Sequence, residues 1–270
     1  MLPVYAEDDP SHLDQALNSV LRQSSPPDQL VIVEDGPLPE TLRNVLDGRL
    51  GRFDLPTLRV HLKNNVGLGL ALAQGLNSCN FDLVARMDAD DIARPERFER
   101  QEKFMRANPD VVLLGSNVEE FRSHPGDLGR LRHPPETDDG IRRGARTRNP
   151  FNHMSVIFRK HSVQGVGGYR HRPGFEDYDL WLRLLKQPGQ VANLGEVLVD
   201  VRVGSGMLSR RRGMRYLQSE LEFLFDCRRQ GLISTVDMAR SALARIPARL
   251  MPAGALERMY DLLLRERANK

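Results

Sequence analysis

The feature that most constrains this chain is a regular alternation of short apolar runs and helical patterns over its first half. Apolar runs lie at Met1–Tyr5, Leu30–Val33, Leu58–Leu62 and Phe81–Met87, and a helical pattern follows each of the first three. Repeated βα units of this kind predict an α/β fold with a mostly parallel central sheet and flanking helices. Ligands bind beyond the carboxyl ends of the strands in such sheets, so the residues after each run are the candidates for function.

Other periodic patterns predict the remaining elements. Apolar residues at helical spacing predict several helices, and apolar runs or alternating valines predict further strands. The predicted helices lie at Glu40–Leu50, around Leu68–Leu76, from Pro95 through Met105, at Phe175–Leu185 and from Leu217 to the end of the chain, including Arg240–Leu250 and Leu256–Leu264. The predicted strands are Val111–Gly115, Met154–Phe158 and a half-buried strand over Val197–Val203. We predict a catalytic domain over residues 1–205 and a helical extension over 206–270.

Composition limits the class of protein. The 270 residues are 40% hydrophobic and 28% charged, which suits an ordered protein with a sizeable core. The two cysteines, Cys79 and Cys227, form no CxxC motif, and no run approaches the ~18 apolar residues of a membrane span. The first residues lack the pattern of a signal peptide. We therefore expect a cytoplasmic protein with no nucleic acid among its partners.

The C-terminal extension concentrates positive charge. From Gly204 to Lys270 there are thirteen Lys and Arg residues and seven acidic residues, whereas the whole chain has a net charge of +3. Arginines that flank apolar stripes are typical of an amphipathic helix lying on an anionic membrane surface. A solvated helical surface, a cover for the core and a homodimer interface explain the pattern equally well, so these alternatives stay open.

Three carboxylates follow the fourth apolar run: Asp88, Asp90 and Asp91. Like charges a few ångströms apart repel by roughly 4 kcal/mol at an intermediate dielectric, so we expect a cation among them. An Asp-x-Asp pair offers hard oxygen ligands to Mn²⁺ or Mg²⁺ and leaves positions open for phosphate oxygens. We predict Asp88 and Asp90 as metal ligands. Asp91 is a candidate contact of a sugar, or the N-cap of the helix that starts near Pro95.

A second acidic motif follows the second apolar run, Leu30–Val33. In Val31-Ile32-Val33-Glu34-Asp35-Gly36 the carboxylate of Asp35 can accept hydrogen bonds from a base edge, such as the N–H of uracil. An ordinary Asp-Gly turn is the alternative.

Acids also open the predicted helix at Phe175–Leu185. Helical periodicity places Asp177 on one face with Leu180 and Trp181, whereas Asp179 aligns with Arg183 as an exposed ion pair would. An inward carboxylate beside a nucleotide site suits a general base, so Asp177 is the predicted catalytic residue. Glu176 is a candidate for supporting it or for contacting the acceptor.

Weaker signals come from three further segments. Pro3, Val4, Tyr5 and Glu7 stand at the end of the first predicted strand, where a nucleotide can rest. Asn65 precedes a helix whose first amides can approach phosphate, although a turn and cap explain it nearly as well. His153 precedes a predicted strand and is either a contact of the diphosphate or donor sugar, or a structural histidine.

Together these motifs resemble the family 2 inverting glycosyltransferases, which have the GT-A fold. The resemblance covers about residues 1–205. The matching segments, in order, are PVYAED, VIVEDG, NNVGLG, RMDADDIARPERF and FEDYDLWLRL. Within the family, the chain is most similar to bacterial enzymes that build exopolysaccharide or lipopolysaccharide repeat units. The Gln-x-x-Arg-Trp motif of processive synthases is absent, so the resemblance favours one hexosyl or N-acetylhexosaminyl transfer per acceptor.

The resemblance also implies ligands and roles. It implies a nucleotide-sugar donor, with UDP favoured, and a saccharide acceptor that can be lipid-linked. The implied roles are uracil binding for Asp35, ribose or metal contact for Asp88, metal binding for Asp90, deprotonation of the acceptor for Asp177, and lining of the nucleotide pocket for Pro3, Tyr5 and Glu7.

Two other functions stay open on sequence grounds. A sugar-phosphate nucleotidyltransferase also combines an α/β fold with a metal, but it usually carries a basic Gly-rich loop where this chain has acidic Glu7-Asp8-Asp9. A non-catalytic nucleotide-sugar-binding module needs no base, which an inward Asp177 argues against.

Overall fold

The computed structural model describes residues 1–51, 55–204, 213–250 and 266–267, and shows an α/β sheet with a helical extension. Its elements in chain order are β1 (Leu2–Tyr5), α1 (Pro10–Leu21), β2 (Leu30–Asp35), α2 (Glu40–Leu50), β3 (Thr57–His61), α3 (Leu68–Ser78), β4 (Leu83–Ala85), β5 (Ile92–Ala93), α4 (Arg97–Ala107), β6 (Val111–Phe121), β7 (Arg130–Arg132), α5 (Asp138–Gly144), a short 3-10 turn (His153–Ser155), β8 (Ile157–Arg159), α6 (Lys160–Gly165), α7 (Glu176–Leu184), β9 (Gln190–Arg202), α8 (Gly213–Arg229), α9 (Thr235–Leu250) and β10 (Glu266–Arg267).

The first half builds the parallel part of the sheet. β1 and β3 pair with β2 in parallel. The amino terminus of Met1 donates to the carbonyl of Ala85 over 2.8 Å, and Met87 N donates to the carbonyl of Met1 over 3.0 Å. This spacing is that of a parallel pair, so β4 continues the sheet beside β1. The order β3-β2-β1-β4 confirms the predicted parallel arrangement and places four carboxyl strand ends along one edge.

Helix α1 forms after the first strand because it has an N-cap and one apolar face. Asp9 caps it by accepting from the backbone N–H groups of Ser11 and His12. Leu13 and Leu17, one turn apart on α1, are fully buried and pack in one cluster with residues of β1 and β2. Burying a leucine side chain contributes roughly 1.5–3 kcal/mol, so the apolar stripe of α1 fixes its orientation on the sheet.

The second half of the sheet is mixed, and several predicted bounds are wrong here. β8 is antiparallel to β4 and β6, while β9 is parallel to β6. β6 extends beyond Gly115 to Phe121 because its second part pairs with both β7 and β9. The fourth predicted strand shortens to β4, and the strand predicted from Met154 begins at Ile157, after the 3-10 turn.

The valine strand is also buried more completely than its alternation predicts. Within β9, Val199 and Val201 are buried, but so are Leu198 and Asp200 on the opposite face. Asp200 is accommodated because its Oδ1 accepts from Arg94 Nη2 over 2.7 Å. The prediction of a half-buried strand is therefore wrong, since a period-two pattern does not reveal a buried ion pair.

The helical extension packs on α7. Phe223, Leu224 and Cys227 of α8 form one apolar cluster with Phe175 and Tyr178. This confirms helices over 213–250 and shows that part of the extension covers the core. The predicted continuation at 256–264 lies outside the described residues. Within the described ranges, no helix combines the length and hydrophobicity needed to cross a bilayer.

Candidate active site

Three strand ends bring the predicted residues to one edge of the sheet. Tyr5, the last residue of β1, lies opposite Asp35, the last residue of β2. Asp88 follows β4, the neighbour of β1 on the other side. The topology thus places these motifs where α/β sheets bind ligands.

The acidic cluster is formed as predicted. Carboxylate oxygens of Asp88, Asp90 and Asp91 all lie within 4.8 Å of one another. Asp90 is exposed to solvent, and the side chain of Asp88 is 26% exposed. Asp91 is buried, and its Oδ1 accepts from the backbone N–H of Arg202 in β9 over 2.8 Å.

The helix-capping alternative for Asp91 is therefore wrong. Helix α4 begins at Arg97, and its N-cap residue is Glu96, which makes no side-chain cap bond. Asp91 instead ties the loop after β4 to the end of β9. That bond fixes the loop that carries the exposed Asp90.

Burial and mutual repulsion raise the pKa values of the acids in the cluster. Loss of solvent in the cleft and the charge of Asp88 raise the pKa of Asp90 to about 6. Burial raises the pKa of Asp91 well above its ordinary value, and the neighbouring Asp90 adds to this. Burial also raises the pKa of Asp8 to about 7, with further contributions from Asp90 and Asp88. Sequence reasoning missed Asp8, a fourth carboxylate in this field.

Arg86 is a second residue that sequence reasoning assigned no role. Its guanidinium group is buried and forms a two-pronged ion pair with Asp88. Burial opposes the charge of Arg86, but Asp88 keeps its pKa above the ordinary value. Its position two residues before Asp88 was the available signal. Arg86 neutralises part of the cluster and orients the carboxylate of Asp88.

Asp35 and Asn65 meet at the adjacent strand end. Oδ1 of Asp35 accepts from Val66 N over 2.7 Å, and Oδ2 accepts from Gly67 N over 3.1 Å. Gly36 has φ +90°, and a Cβ there would lie 2.7 Å from Asn65 N, so the two loops touch. The backbone amides of Val66 and Gly67, which were candidates for binding phosphate, donate to Asp35 instead. This favours the explanation that Asn65 belongs to a turn and helix cap. The nucleotide roles of Asp35 and Asn65 stay predictions.

The residues predicted at the end of β1 differ in accessibility. Pro3 and Val4 are buried, and the side chain of Val4 belongs to the apolar cluster between the sheet and α1. Tyr5 is half-buried and Glu7 is exposed. Contacts between a nucleotide and Pro3 or Val4 would therefore involve mainly the backbone, whereas Tyr5 and Glu7 present side chains.

The predicted base stands at the start of α7. Asp177 is half-buried; its Oδ2 accepts from Asn149 Nδ2 over 2.5 Å, and its Oδ1 accepts from Tyr178 N over 2.7 Å. A carboxylate in the first turn of a helix is stabilised by the helix dipole. Asn149, which sequence reasoning did not single out, thus fixes the orientation of Asp177.

The expectation of an exposed Asp179–Arg183 pair is wrong. Both side chains are buried, and Arg183 Nη2 lies 2.7 Å from Asp179 Oδ2. Arg183 also donates to the carbonyls of Val166 and Gly168. Helical spacing identified the pair correctly, but only tertiary packing determines that the loop after α6 covers it.

Glu176 is brought against the start of α3. A Cβ on Gly69 would lie 2.2 Å from the carbonyl oxygen of Arg170 and 2.9 Å from Cγ of Glu176. Burial raises the pKa of Glu176, and the neighbouring Asp177 contributes. The glycine allows α3 and α7 to lie close to each other. The loop before α3, which carries Asn65, is therefore held near the helix that carries the predicted base.

Tyr169 lies between the two acidic groups. Its hydroxyl is 2.9 Å from Nε2 of His153. Burial raises the pKa of Tyr169; Arg86 opposes the rise, and the charges of Asp177 and Asp88 add to it. Burial lowers the pKa of His153 well below its ordinary value, and Arg86 contributes. His153 is therefore a neutral partner of Tyr169 in the described structure. The charges of Asp88 after β4 and of Asp177 in α7 therefore both act on the buried Tyr169.

The sequence matches a known family over its first three fifths. The model of the family described as "Glycosyl transferase family 2" matches residues 1–164. The chain belongs to this family. Membership confirms the resemblance stated from the motifs and favours glycosyl transfer over nucleotidyl transfer.

Relatives of this family 2 glycosyltransferase match nearly its whole length. It is 40% identical over 264 residues to the amylovoran biosynthesis glycosyltransferase AmsE of Erwinia amylovora, covering 97% of each chain. It is 37% identical over 265 residues to the UDP-Gal:alpha-D-GlcNAc-diphosphoundecaprenol beta-1,3-galactosyltransferase of Escherichia coli, covering 98% of this chain and 95% of that one.

Solved structures share its fold. A Pyrobaculum calidifontis mannosyltransferase in complex with GDP-Man and Mn²⁺ matches with TM-score 0.66 and 17% identity, covering 97% of this chain and 78% of that one. S. aureus TarS 1–349 in complex with UDP-GlcNAc matches with TM-score 0.64 and 16% identity, covering 84% and 66%. The chain spans 42% of the longer TarS structure. The family 2 glycosyltransferase has the predicted GT-A fold.

The acidic cluster fits the divalent cation that GT-A enzymes commonly use. Asp88 and Asp90 present hard carboxylate oxygens toward the cleft, which is the donor set that Mn²⁺ and Mg²⁺ prefer. Burial and the charge of Asp88 raise the pKa of Asp90, and a bound cation would offset both effects. Asp91 is held by Arg202 and supports the loop, so Asp88 and Asp90 remain the predicted ligands.

Proposed function

We propose that this protein transfers one hexosyl or N-acetylhexosaminyl group from a UDP-sugar to a hydroxyl of a lipid-linked saccharide, with inversion, in bacterial cell-surface polysaccharide biosynthesis. The observation that carries the proposal is the acidic cluster after β4 in a chain of this family: the carboxylate oxygens of Asp88, Asp90 and Asp91 lie within 4.8 Å of one another. A donor-side acidic cluster facing an acceptor-side carboxylate is the arrangement that direct displacement requires.

The relatives support the finer parts of the proposal. The name of the Erwinia amylovora relative specifies biosynthesis of amylovoran, a polysaccharide. The name of the Escherichia coli relative specifies a UDP-Gal donor and a diphosphoundecaprenol-linked acceptor. Because the identities reach 40% and 37% over nearly whole chains, we carry the class of pathway, donor and acceptor to this protein.

In the proposed mechanism, Asp177 accepts the proton of the acceptor hydroxyl while that oxygen attacks the anomeric carbon opposite the nucleotide. Asn149 and Tyr178 N–H hold the carboxylate in place. The bond between the anomeric carbon and the donor phosphate oxygen breaks as the new bond forms, so configuration inverts. Asp88 and Asp90 would hold a cation that offsets negative charge on the departing diphosphate. Arg86 keeps Asp88 oriented throughout.

Two substitutions test the mechanism. Asp177→Asn should retain UDP-sugar binding but lose at least about a thousandfold in transfer rate, because the amide cannot accept the proton. Asp90→Ala should lose the activation by Mn²⁺ or Mg²⁺. Transfer should be measured with UDP-Gal, UDP-Glc and UDP-GlcNAc, and donor binding by calorimetry. Asp110→Asn, an exposed acid before β6, is the control. Near-normal transfer by Asp177→Asn would show that Asp177 is not the general base.

We also propose that the extension associates peripherally with the cytoplasmic membrane surface. Met214 and Phe225 lie three turns apart on one side of α8, and Val236 and Leu243 lie two turns apart on α9. All four are highly exposed, between 58% for Val236 and 76% for Leu243. Exposed apolar residues among arginines are typical of helices that bind anionic lipid.

A paired substitution tests this association. Phe225→Glu with Leu243→Glu should lower co-sedimentation with vesicles of anionic phospholipid, whereas Phe81→Glu, on another surface and 48% exposed, should not. Unchanged sedimentation would contradict membrane association. A parent dimer in light scattering that becomes monomeric in the paired variant would assign the same residues to the predicted homodimer instead.

A further inference from the structure

The segment before Asn149 carries three arginines without a carboxylate partner. We call residues 142–148, the last turn of α5 and the turn that follows it, the arginine loop. Arg143, Arg146 and Arg148 are exposed, and within the described part of the chain their side chains make no ion pair or hydrogen bond. Arg142, in contrast, pairs with Asp138. Three unneutralised guanidinium groups on one short loop form a site of strong positive potential.

The backbone of the arginine loop is held rigidly from two sides. Arg142 donates to the carbonyls of Leu185 and Gly189 over 2.6 and 2.8 Å. The hydroxyl of Tyr178 donates to the carbonyl of Ala145, and Arg245 of α9 donates to that of Thr147, each over 2.7 Å. The three exposed arginines therefore project from a fixed platform between α7 and α9.

The platform leads directly to the predicted base. Arg148 precedes Asn149, and consecutive Cα atoms are about 3.8 Å apart. Asn149 Nδ2 in turn contacts Asp177 Oδ2 over 2.5 Å. The arginine loop therefore ends next to the residue that orients Asp177, so an acceptor bound at Asp177 lies beside the loop.

We propose that Arg143, Arg146 and Arg148 bind the diphosphate of the acceptor, a hexosyl diphosphate carried by a lipid. The inference rests on the proposed function. One pyranose ring separates an attacking ring hydroxyl from the anomeric diphosphate, so a hydroxyl at Asp177 places the phosphates near the loop. Guanidinium groups bind phosphate through paired N–H donors, and three arginines offset the two charges of a diphosphate diester.

The surface beside the loop suits the lipid of such an acceptor. Arg245 joins the loop to α9, and Leu243 and Ile246 on either side of Arg245 in sequence are exposed. Exposed apolar side chains therefore flank, in sequence, the α9 arginine that contacts the loop. In the proposed complex the hydroxyl of the acceptor lies at Asp177, its diphosphate at the arginines and its lipid at this apolar surface.

A matched pair of triple variants tests the site. The probes are a hexosaminyl diphosphate with a short phenoxyalkyl chain and the neutral phenoxyalkyl glycoside of the same sugar. R143Q/R146Q/R148Q should weaken binding of the diphosphate probe at least tenfold in calorimetry, with UDP and Mn²⁺ present, and change binding of the neutral glycoside less than twofold. R22Q/R100Q/R106Q removes the same charge elsewhere and should change neither. R148Q alone should keep the melting temperature of the parent. It should weaken binding of the diphosphate probe less than the triple variant does, and should again leave binding of the neutral glycoside nearly unchanged.

Several outcomes would overturn the diphosphate site or separate it from the proposed function. Equal losses for both probes, or a parent protein that does not prefer the diphosphate probe, would overturn the proposal. If the arginine variants bind vesicles of phosphatidylglycerol less well but bind the diphosphate probe normally, the arginines contact lipid headgroups and the proposal fails. If arginine-dependent binding of the probe occurs without transfer from any UDP-sugar, the site stands and the proposed function fails.

Discussion

Asn149 donates to Asp177 over 2.5 Å, a contact between residues 28 positions apart that orients the predicted base. The contact holds one carboxylate oxygen while the other accepts from Tyr178 N. The side chain is therefore positioned before an acceptor arrives, which reduces the entropy cost of reaching a reactive geometry.

Replacing Asn149 should consequently slow transfer without weakening donor binding. Asn149→Ala frees the carboxylate of Asp177, so we expect kcat to fall roughly 10- to 100-fold, as geometric misplacement of a catalytic group does. The KM for the UDP-sugar should change little. Asn80→Ala, an exposed asparagine at the end of α3, is the control. An unchanged kcat for Asn149→Ala would show that the contact does not position the base.

Asp179 should matter for stability rather than for chemistry. Asp179→Asn leaves the Arg183 guanidinium buried without its charge partner, a change that typically costs about 3–5 kcal/mol. Urea unfolding measures this loss. Glu102→Gln breaks an exposed i,i+4 pair with Arg106 and should cost under about 0.5 kcal/mol. Equal effects of the two substitutions would contradict the burial of the Asp179 pair.

The acidic cluster should make stability depend on pH. Burial, with help from Asp90 and Asp88, raises the pKa of Asp8 from 3.8 to about 7. Between these values the folded protein binds a proton that the unfolded chain releases, so the free energy of unfolding should fall as pH rises and level off above about pH 7.

Urea unfolding between pH 4.5 and 8, in the presence of a chelator, measures this dependence. Asp8→Asn should flatten the profile and exceed the parent in stability at pH 8, whereas Asp110→Asn should follow the parent. Added Mn²⁺ should restore stability at pH 8 in the parent. A profile for Asp8→Asn that coincides with the parent's would exclude Asp8 as the source.

Gly69 should be intolerant of a side chain although it lies in a helix. A Cβ would meet the carbonyl oxygen of Arg170 at 2.2 Å, and this backbone atom cannot move aside easily. We expect Gly69→Ala to destabilise by about 1–3 kcal/mol, as overpacking does, and to lower kcat by displacing Glu176. Gly48→Ala in α2 meets nothing within 4 Å and should stabilise by up to about 1 kcal/mol. Thermal unfolding and transfer assays compare the two.

Most elements and the identity of the acidic residues followed from sequence alone. Local patterns predicted α1 through its buried leucines and placed Asp35 and Asp88 after strands, because periodicity records which side of an element is buried. The rule that parallel strands end at one edge then brought the motifs together.

Which side chains contact each other could be decided only from the tertiary structure. The bond from Arg202 to Asp91, the contact of Asn149 with Asp177 and the packing of Phe223 on α7 join segments distant in the chain. Their formation depends on how whole elements pack, and no local spacing encodes that. The sequence by itself determined which residues carry charge and which motifs stand at the carboxyl ends of β1, β2 and β4. Only the fold decided which charges are buried, which are paired and which face the cleft, because burial and distance are properties of the assembled layers.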